Sequence, residues 1–367
     1  MKDLRVVVTT DSEGFRNLKE PWRALMDDSD ASAFSTWEWL YTWWEYFGQG
    51  DRLFIITLTE QGVPVALFPH FIRPRRLLFG GRVGMIHTIG SDYTASDYLD
   101  FVIRRGHEEA AVATWMDHLL GRTRDWSLIE IKDIAAESNL YPRIIEAARE
   151  RGLIVHEGVK DRCPAYRIDP GRYAQRLRVS KTHRRLLEYA RSFKRRCDYR
   201  FGAGLIGGDF EGTFGTFLRL HGERSSRTGR GTKLTSPPLS DFLHDAARRL
   251  SESGDLLFTW LAVGDEIAAI HLDLVRGGRL YFYNSGIDRR WESHRVGLIL
   301  FHHEMEHAAS LGISEYLFLR GTEPYKYLWA DGDHRLMVMH LTRPDRSRLL
   351  ISTDFRLRHY LDMILHA

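Results

Sequence analysis

The sequence predicts a mixed α/β (α+β) protein of two domains, and three observations carry that expectation. Segments with helical and strand periodicity alternate along the chain, and sheets covered by helices are the arrangement that buries both kinds of apolar face. The order of elements in residues 1–160 recurs in 161–367 without a literal repeat. The length, 367 residues with 43% hydrophobic and 28% charged, suits two cores of ordinary domain size.

The elements follow in order. LRVVVTT (4–10) reads as a strand, and Asp11 or Ser12 caps a helix running toward Met26. In FSTWEWLYTWWEYFG, Thr36 is the expected N-cap, Trp37, Leu40, Trp44 and Phe47 recur at helical spacing, and Gly48 stops the helix. RLFIITLTEQGVPVALFPHFIR gives two β-rich runs about the turn Glu60-Gln61-Gly62, an antiparallel hairpin. GHEEAAVATWMDHLL, WSLIEI, ESNLYPRIIEAARERG and LIVHE give helix, strand, helix, strand, closing the first half near residue 158. The second half predicts helices at 181–197, 209–224 and 239–253, then strands DLLFTWLAVG and EIAAIHLDLV joined at Gly264-Asp265, and strand RLYFYNSG. A long helix after Gly286, strand SEYLFLRG, short helix EPYKYLWA, strand HRLMVMHL and a closing helix complete it.

Composition excludes several classes of function. With 52 basic against 49 acidic side chains, no global field draws the chain to nucleic acid or membrane. No run approaches the ~20 apolar residues of a membrane span, and MKDLRVVVTTDSEGF has no basic segment leading into an apolar core. Two cysteines, Cys163 and Cys197, fit a reducing compartment, so a cytoplasmic protein is expected. Charge is concentrated locally: residues 172–200 carry eleven Lys or Arg against Glu188 and Asp198. Leu186, Ala190, Phe193 and Cys197 form an apolar stripe beneath them, so this is a docked helix whose basic face is solvated or meets an anionic substrate, such as a nucleotide-linked sugar, a lipid headgroup or a tRNA acceptor stem. RSSRTGRGTKLTSPP (224–238) reads as a lid or acceptor-binding loop, or as a solvated linker.

The hexamer HHEMEH (302–307) contains the zinc-peptidase pattern H-E-x-x-H in His303, Glu304 and His307. Catalytic zinc needs a third protein ligand, and the extension H-x-x-G-x-x-H is missing: Ser310 stands at the glycine position and Ile313 at the last histidine, leaving only the distant Glu323. On a helical wheel Leu298, Phe301, Met305, Ala308, Ala309 and Gly312 share the buried arc while His303 and His307 point away from it. No metal ligands are assigned.

The succession of strand RLYFYNSG, turn, glycine-containing helix start SHRVGLIL, strand SEYLFLRG and EPYKYLWA resembles the acyl-donor half of a GNAT acyltransferase. Taken with FSTWEWLYTWWEYFG, with CPAYRI (163–168) before the basic helix and with LFLRGTEPYKYLWA, it resembles the CelD-like acetyltransferases, and through them the FemAB-type aminoacyl transferases with paired GNAT domains. The resemblance spans nearly the whole chain. It implies tandem GNAT-like domains: 1–160, contributing to the acceptor site, and 161–367, the acyltransferase domain with the basic helix. The implied activity is transfer of an acyl group from acyl-CoA, such as acetyl-CoA, to an amine of a polar acceptor, either a small molecule or a glycan or peptide precursor. An aminoacyl-tRNA donor, and a non-catalytic binding protein of the same fold, are the alternatives.

The resemblance places the donor loop at His294, Arg295, Val296, Gly297 and Leu298, where unpaired amides at a helix start cradle pyrophosphate. The family loop Q/R-x-x-G-x-G/A keeps its first glycine here and has Ile299 at the second small position. Tyr325 matches the tyrosine that protonates the leaving thiolate, with Tyr327 as second choice, and Glu323 and Lys326 of RGTEPYK are expected to orient substrate. For the general base Asp288 is favoured over Glu292, with His271 and Asp273 on one face of strand EIAAIHLDL as the other candidates. His271, and Asp92, Tyr93 and Asp97 of GSDYTASDYLDF, are expected to contact the acceptor.

Overall fold

The computed structural model describes residues 3–76, 82–122, 126–227 and 233–344. The chain divides into two units: one holds Met1–Asp161 and takes the chain back at Arg335, and the other is Arg162–His334. The elements of the first unit are β1 (Arg5–Thr9), α1 (Ser12–Asn17), α2 (Lys19–Asp27), α3 (Trp37–Phe47), β2 (Arg52–Glu60), β3 (Val63–Arg76), β4 (Arg82–Thr88), β5 (Val102–Ile103), α4 (Glu108–Arg122), β6 (Leu128–Ala135), α5 (Leu140–Glu150) and most of β7 (Ile154–Arg167). The second contains the end of β7, α6 (Pro170–Val179), α7 (Lys181–Cys197), β8 (Tyr199–Ala203), α8 (Phe210–Arg227), α9 (Leu239–Ser253), β9 (Leu256–Val263), β10 (Glu266–Arg276), β11 (Arg279–Ile287), α10 (Val296–Ser310) and β12 (Glu315–Leu317). The last strand, β13 (Gly332–Thr342), runs antiparallel to β6, from Leu336↔Ala135 to Thr342↔Leu128. That pairing is why the chain beyond His334, expected in the second domain, groups with the first.

Each unit is built on the same device. In the first, strands lie in the order β1-β2-β3-β4-β6-β13, with β5 beside β3. β4 and β6 pair in parallel through Met85–His87 and Leu128–Glu130. In the second, the order is β7-β12-β11-β10-β9-β8, and β11 and β12 pair in parallel through only Arg279–Tyr281 and Glu315–Leu317. A parallel pair cannot be joined by a hairpin, so a helix crosses over in each case, α4 in the first unit and α10 in the second. Beyond Tyr281, β11 continues to Ile287 while β12 has ended, and the two strands part at the level of the α10 N-terminus.

Local chemistry explains the elements on which the units rest. Thr36 caps α3 by accepting from the Trp39 amide, and the indoles of Trp37, Trp39 and Trp44 reach Phe15 O, Ser96 Oγ and Ser12 Oγ at 3.0, 2.8 and 3.1 Å. Three of the helix's four indoles are thus buried with a partner for the N–H, whereas the fully buried Trp43 Nε1 finds no hydrogen-bond partner among the described residues. In α7, Leu186, Ala190 and Phe193 are buried, while Lys181, Arg184, Arg185, Arg191, Lys194, Arg195 and Arg196 are exposed. Gly286 lets α8 press onto β11, for a Cβ there would meet Leu220 Cβ at 2.7 Å and the His221 amide at 3.0 Å.

Several expectations need correction. The helix toward Met26 is two, broken at Leu18. SEYLFLRG is a strand only over Glu315–Leu317, because the Phe318 amide turns to Pro164 O and Leu319 takes a φ of 56°. EPYKYLWA makes only a single 3-10 turn, Lys326–Leu328. The expected closing helix lies outside the described residues, as do residues 228–232 of the expected acceptor loop.

One buried histidine of the first unit sets an acid limit on stability. His70 Nε2 accepts from Trp115 Nε1 at 3.1 Å, so its proton sits on Nδ1, 3.2 Å from His87 O. Burial holds its pKa down to about 3. The unfolded chain takes up this proton below about pH 6.5 and the native state does not, so stability falls as pH drops from there toward 3. His70→Gln, which can accept from Trp115 and donate to His87 O without titrating, is expected to reduce that loss by a few kcal/mol, on the order of 1.4 for each pH unit below 6.5, in urea unfolding at pH 7 and pH 4. An unchanged difference between the two pH values would dismiss His70 as its source.

Candidate functional site

A cavity of about 300 Å³ opens in the second unit where β11 and β12 part. His271 of β10, Ser285 and Ile287 of β11, and Gly297, Leu298 and Phe301 of α10 form its walls. Glu292 and Arg295 contribute from the turn before α10, Tyr325 and Leu328 from the segment after β12. A second cavity of about 180 Å³ shares Arg295, Leu298 and Leu328 with it and is otherwise lined by Trp329 and by Thr182, His183, Arg185, Leu186 and Tyr189 of α7.

The α10 N-terminus faces the larger cavity with amides to spare. Its first backbone bonds run from Leu298 and Ile299 to Arg295 O, so Val296 and Gly297, in the first turn, have no intrahelical acceptor. Arg295 precedes the helix in a left-handed conformation, φ 57°, unusual outside glycine, and its guanidinium lies over the Tyr189 ring at 4.7 Å. Positive charge and the positive end of the helix dipole meet there. At Gly297 an added Cβ would come within 2.8 Å of Ile287 Cδ1.

The opposite wall carries a buried ionisable cluster. His271 Nδ1 is 2.9 Å from Glu304 Oε2, and both side chains are inaccessible to solvent. Glu304 also accepts from Thr259 Oγ1 at 2.7 Å and from Tyr316 OH at 2.5 Å. Burial opposes its ionisation, but hydrogen bonds from His271, Asp273 and Thr259 hold its pKa at about 2. A carboxylate only accepts, so the His271 proton sits on Nδ1 and the lone pair on Nε2, which has no hydrogen-bond partner among the described residues. Phe282 and Phe301 pack on the imidazole at 4.9 and 4.4 Å between centroids. Asp273 completes the cluster; burial and the Glu304 charge raise its pKa well above the carboxylate range, so it stays protonated.

The structure divides the residues singled out in the sequence. Tyr325, Arg295, Gly297, Leu298 and His271 line the cavity together; His294 stacks on Phe193 at 5.1 Å, and Val296 is buried in the core. Asp288 is not among the lining residues: it caps the following turn through the Arg290 amide at 2.8 Å, and its ion pair with Arg290 holds its pKa down. It is a poor base where it stands. Lys326 is buried, its Nζ donating to the carbonyls of Leu319, Arg320 and Gly321 and pairing with Glu323 at 3.0 Å, so both residues tie down the loop rather than line the cavity. Asp92, Tyr93 and Asp97 belong to the first unit: Asp92 pairs with Lys132 at 3.2 Å, Tyr93 stacks on Phe47 at 5.2 Å, and Asp97 is fully buried. The H-E-x-x-H pattern is not assembled as a site, since Glu304 is committed to the His271 cluster and His307 joins His303 in no group of metal donors among the described residues.

Sequence reading missed Glu304, Ser285, Thr259 and Tyr316. For Glu304 a signal existed, because it lies four residues from Leu300 and Ala308 and three from Phe301, all buried, at the spacing that puts helical neighbours on one side.

Two units, each with a helix crossing over between a parallel strand pair, make a tandem GNAT fold, and solved structures share it. Similar to this chain are FemX (11% identity, 86% of this chain and 95% of that one, TM-score 0.60), a conserved protein of unknown function from Bacteroides thetaiotaomicron VPI-5482 (11%, 92% and 100%, 0.57) and L-PGS from Bacillus licheniformis (12%, 92% and 95%, 0.54). More particularly, residues 180–327 match the family model described as an acetyltransferase (GNAT) domain, a range that holds every residue lining the two cavities except Leu328 and Trp329. No curated protein matches the sequence.

Proposed function

We propose that the protein is an acyltransferase that moves an acyl group from a phosphate-bearing thioester, acyl-CoA, to an amine of a polar acceptor such as a glycan or peptide precursor. The observation that carries this reading is the cavity bounded on one side by the free first-turn amides of α10 and on the other by His271 with its unpartnered Nε2. Phosphate oxygens lie against the amides of Val296 and Gly297 and the Arg295 guanidinium, which aims the acyl carbonyl into the cavity. The acceptor nitrogen attacks that carbonyl, the C–N bond forms, and the nitrogen's proton passes to His271 Nε2. The C–S bond then breaks, and the Tyr325 hydroxyl supplies the proton that the thiolate takes. Glu304 holds the imidazole in the basic tautomer and balances its charge once protonated.

Calorimetric titration with acetyl-CoA and longer acyl thioesters tests the donor site. Gly297→Trp fills the cavity at its helix side and is expected to weaken binding at least tenfold, at an unchanged melting temperature, because the first obstacle is the mobile tip of Ile287. Affinity indifferent to that substitution would move the donor elsewhere.

One observation favours an aminoacyl-tRNA as donor instead: the seven exposed cations of α7, whose Arg185 and Tyr189 line the smaller cavity. Retention of tRNA at low salt, with no acyl-CoA binding, selects it.

A further inference from the structure

α10 presents a second group of donors, on a part of the helix that acyl transfer does not use. His302 Nε2 and His303 Nδ1 both stand near Glu306 Oε2, at 3.8 and 3.6 Å. These separations are too long for hydrogen bonds. Zinc-class ions bind imidazole nitrogen and carboxylate oxygen at about 2.0–2.2 Å, which sets tetrahedral donors about 3.3 Å apart; the two separations from Glu306 are within a few tenths of an ångström of that, and all three donor atoms lie within 4.8 Å of one another.

The remaining nitrogen of each imidazole is engaged in the way ligating histidines require. Tyr173 OH lies 2.7 Å from His302 Nδ1 and 3.5 Å from His302 O, so it accepts from Nδ1–H while donating to the carbonyl, leaving the lone pair on Nε2. Tyr199 OH lies 2.9 Å from His303 Nε2, leaving Nδ1 for the side of Glu306. Partners of this kind fix ring orientation and tautomer at metal centres. His302 is buried and His303 is packed by Tyr199 and Phe201, whereas Glu306 is half-exposed and open to an ion arriving from solvent. The other close group of metal donors among the described residues, His271, Asp273 and Glu304, is closed, with Glu304 already accepting three hydrogen bonds.

We propose that His302, His303 and Glu306 form a three-donor site for a divalent transition ion of the zinc class, with the fourth position left to water. It is a different selection from HHEMEH than the peptidase pattern makes, since it uses neither Glu304 nor His307. The site goes beyond the acyl-transfer reading and does not depend on it.

The test is titration of the full, tag-free, chelator-treated chain with Co(II), followed by its visible absorption, and then displacement by Zn(II). One equivalent of four-coordinate cobalt is expected. Glu306→Gln, at a half-exposed position where folding is undisturbed, and His303→Ala are each expected to weaken binding at least tenfold, and Tyr199→Phe about tenfold through loss of the ring's second partner. Absence of a saturable cobalt spectrum in the natural chain would overturn the proposal. So would one-equivalent binding unaltered in both Glu306→Gln and His303→Ala.

Discussion

His271→Ala is expected to lower the rate of acyl transfer by about 10²- to 10⁴-fold, the range in which a positioned proton acceptor contributes. The imidazole is fixed at three points: Nδ1 by Glu304, and its ring by Phe282 and Phe301. No other lining group combines burial with an unpartnered basic nitrogen. In the proposed reaction the donor's phosphates lie at the α10 amides, so acyl-CoA affinity in the variant should stay within a few-fold of the natural chain and the loss should appear in turnover alone. Single-turnover kinetics with acetyl-CoA and an amine panel, paired with calorimetry, measure both. Free imidazole diffusing into the space left by the side chain should restore part of the rate. Unchanged turnover in His271→Ala would remove the histidine from the chemistry.

Glu304→Ala should be the most destabilising single change in the second unit, by about 3–5 kcal/mol, because it strands several buried hydrogen-bond donors. Three donors lose their acceptor at once: His271 Nδ1, Thr259 Oγ1 and Tyr316 OH. Each is buried, so none recovers the bond from water, and a stranded polar group costs about 1–3 kcal/mol. Glu304→Gln keeps one acceptor oxygen and should lose less. Urea unfolding followed by a probe in the second unit distinguishes the two. Equal stability of Glu304→Ala and the natural chain would mean that the cluster is no structural keystone.

Much of this architecture was legible in the chain because it is written locally. The caps of α3, the hairpin at Gln61-Gly62 and the helices 181–197 and 239–253 depend on residues within a few positions of one another, and they form where expected. His271 and Asp273 share a buried face because strand side chains alternate. What escaped reading depends on partners remote in sequence. Glu304 resembles any helical glutamate until Thr259, His271 and Tyr316 converge on it, and Lys326 resembles a surface lysine until three carbonyls take its ammonium. Asp288 drew attention by its place after β11, yet Arg290, two residues on, occupies its carboxylate. The departure of β13 from the second unit is the extreme case, its His340 meeting Glu130 across 210 positions.

That last pairing bears on the order in which the molecule is made. Residues 162–334 are contiguous, so the second unit has all of its chain once His334 has left the ribosome. The first unit, although its opening strands emerge earliest, lacks β13 until the following residues are translated, and the β6 edge that β13 covers stays open meanwhile. At translation speeds of about 5–20 residues per second that interval lasts roughly ten seconds or more, long compared with the folding of a small domain, so the half that begins first is the last to close.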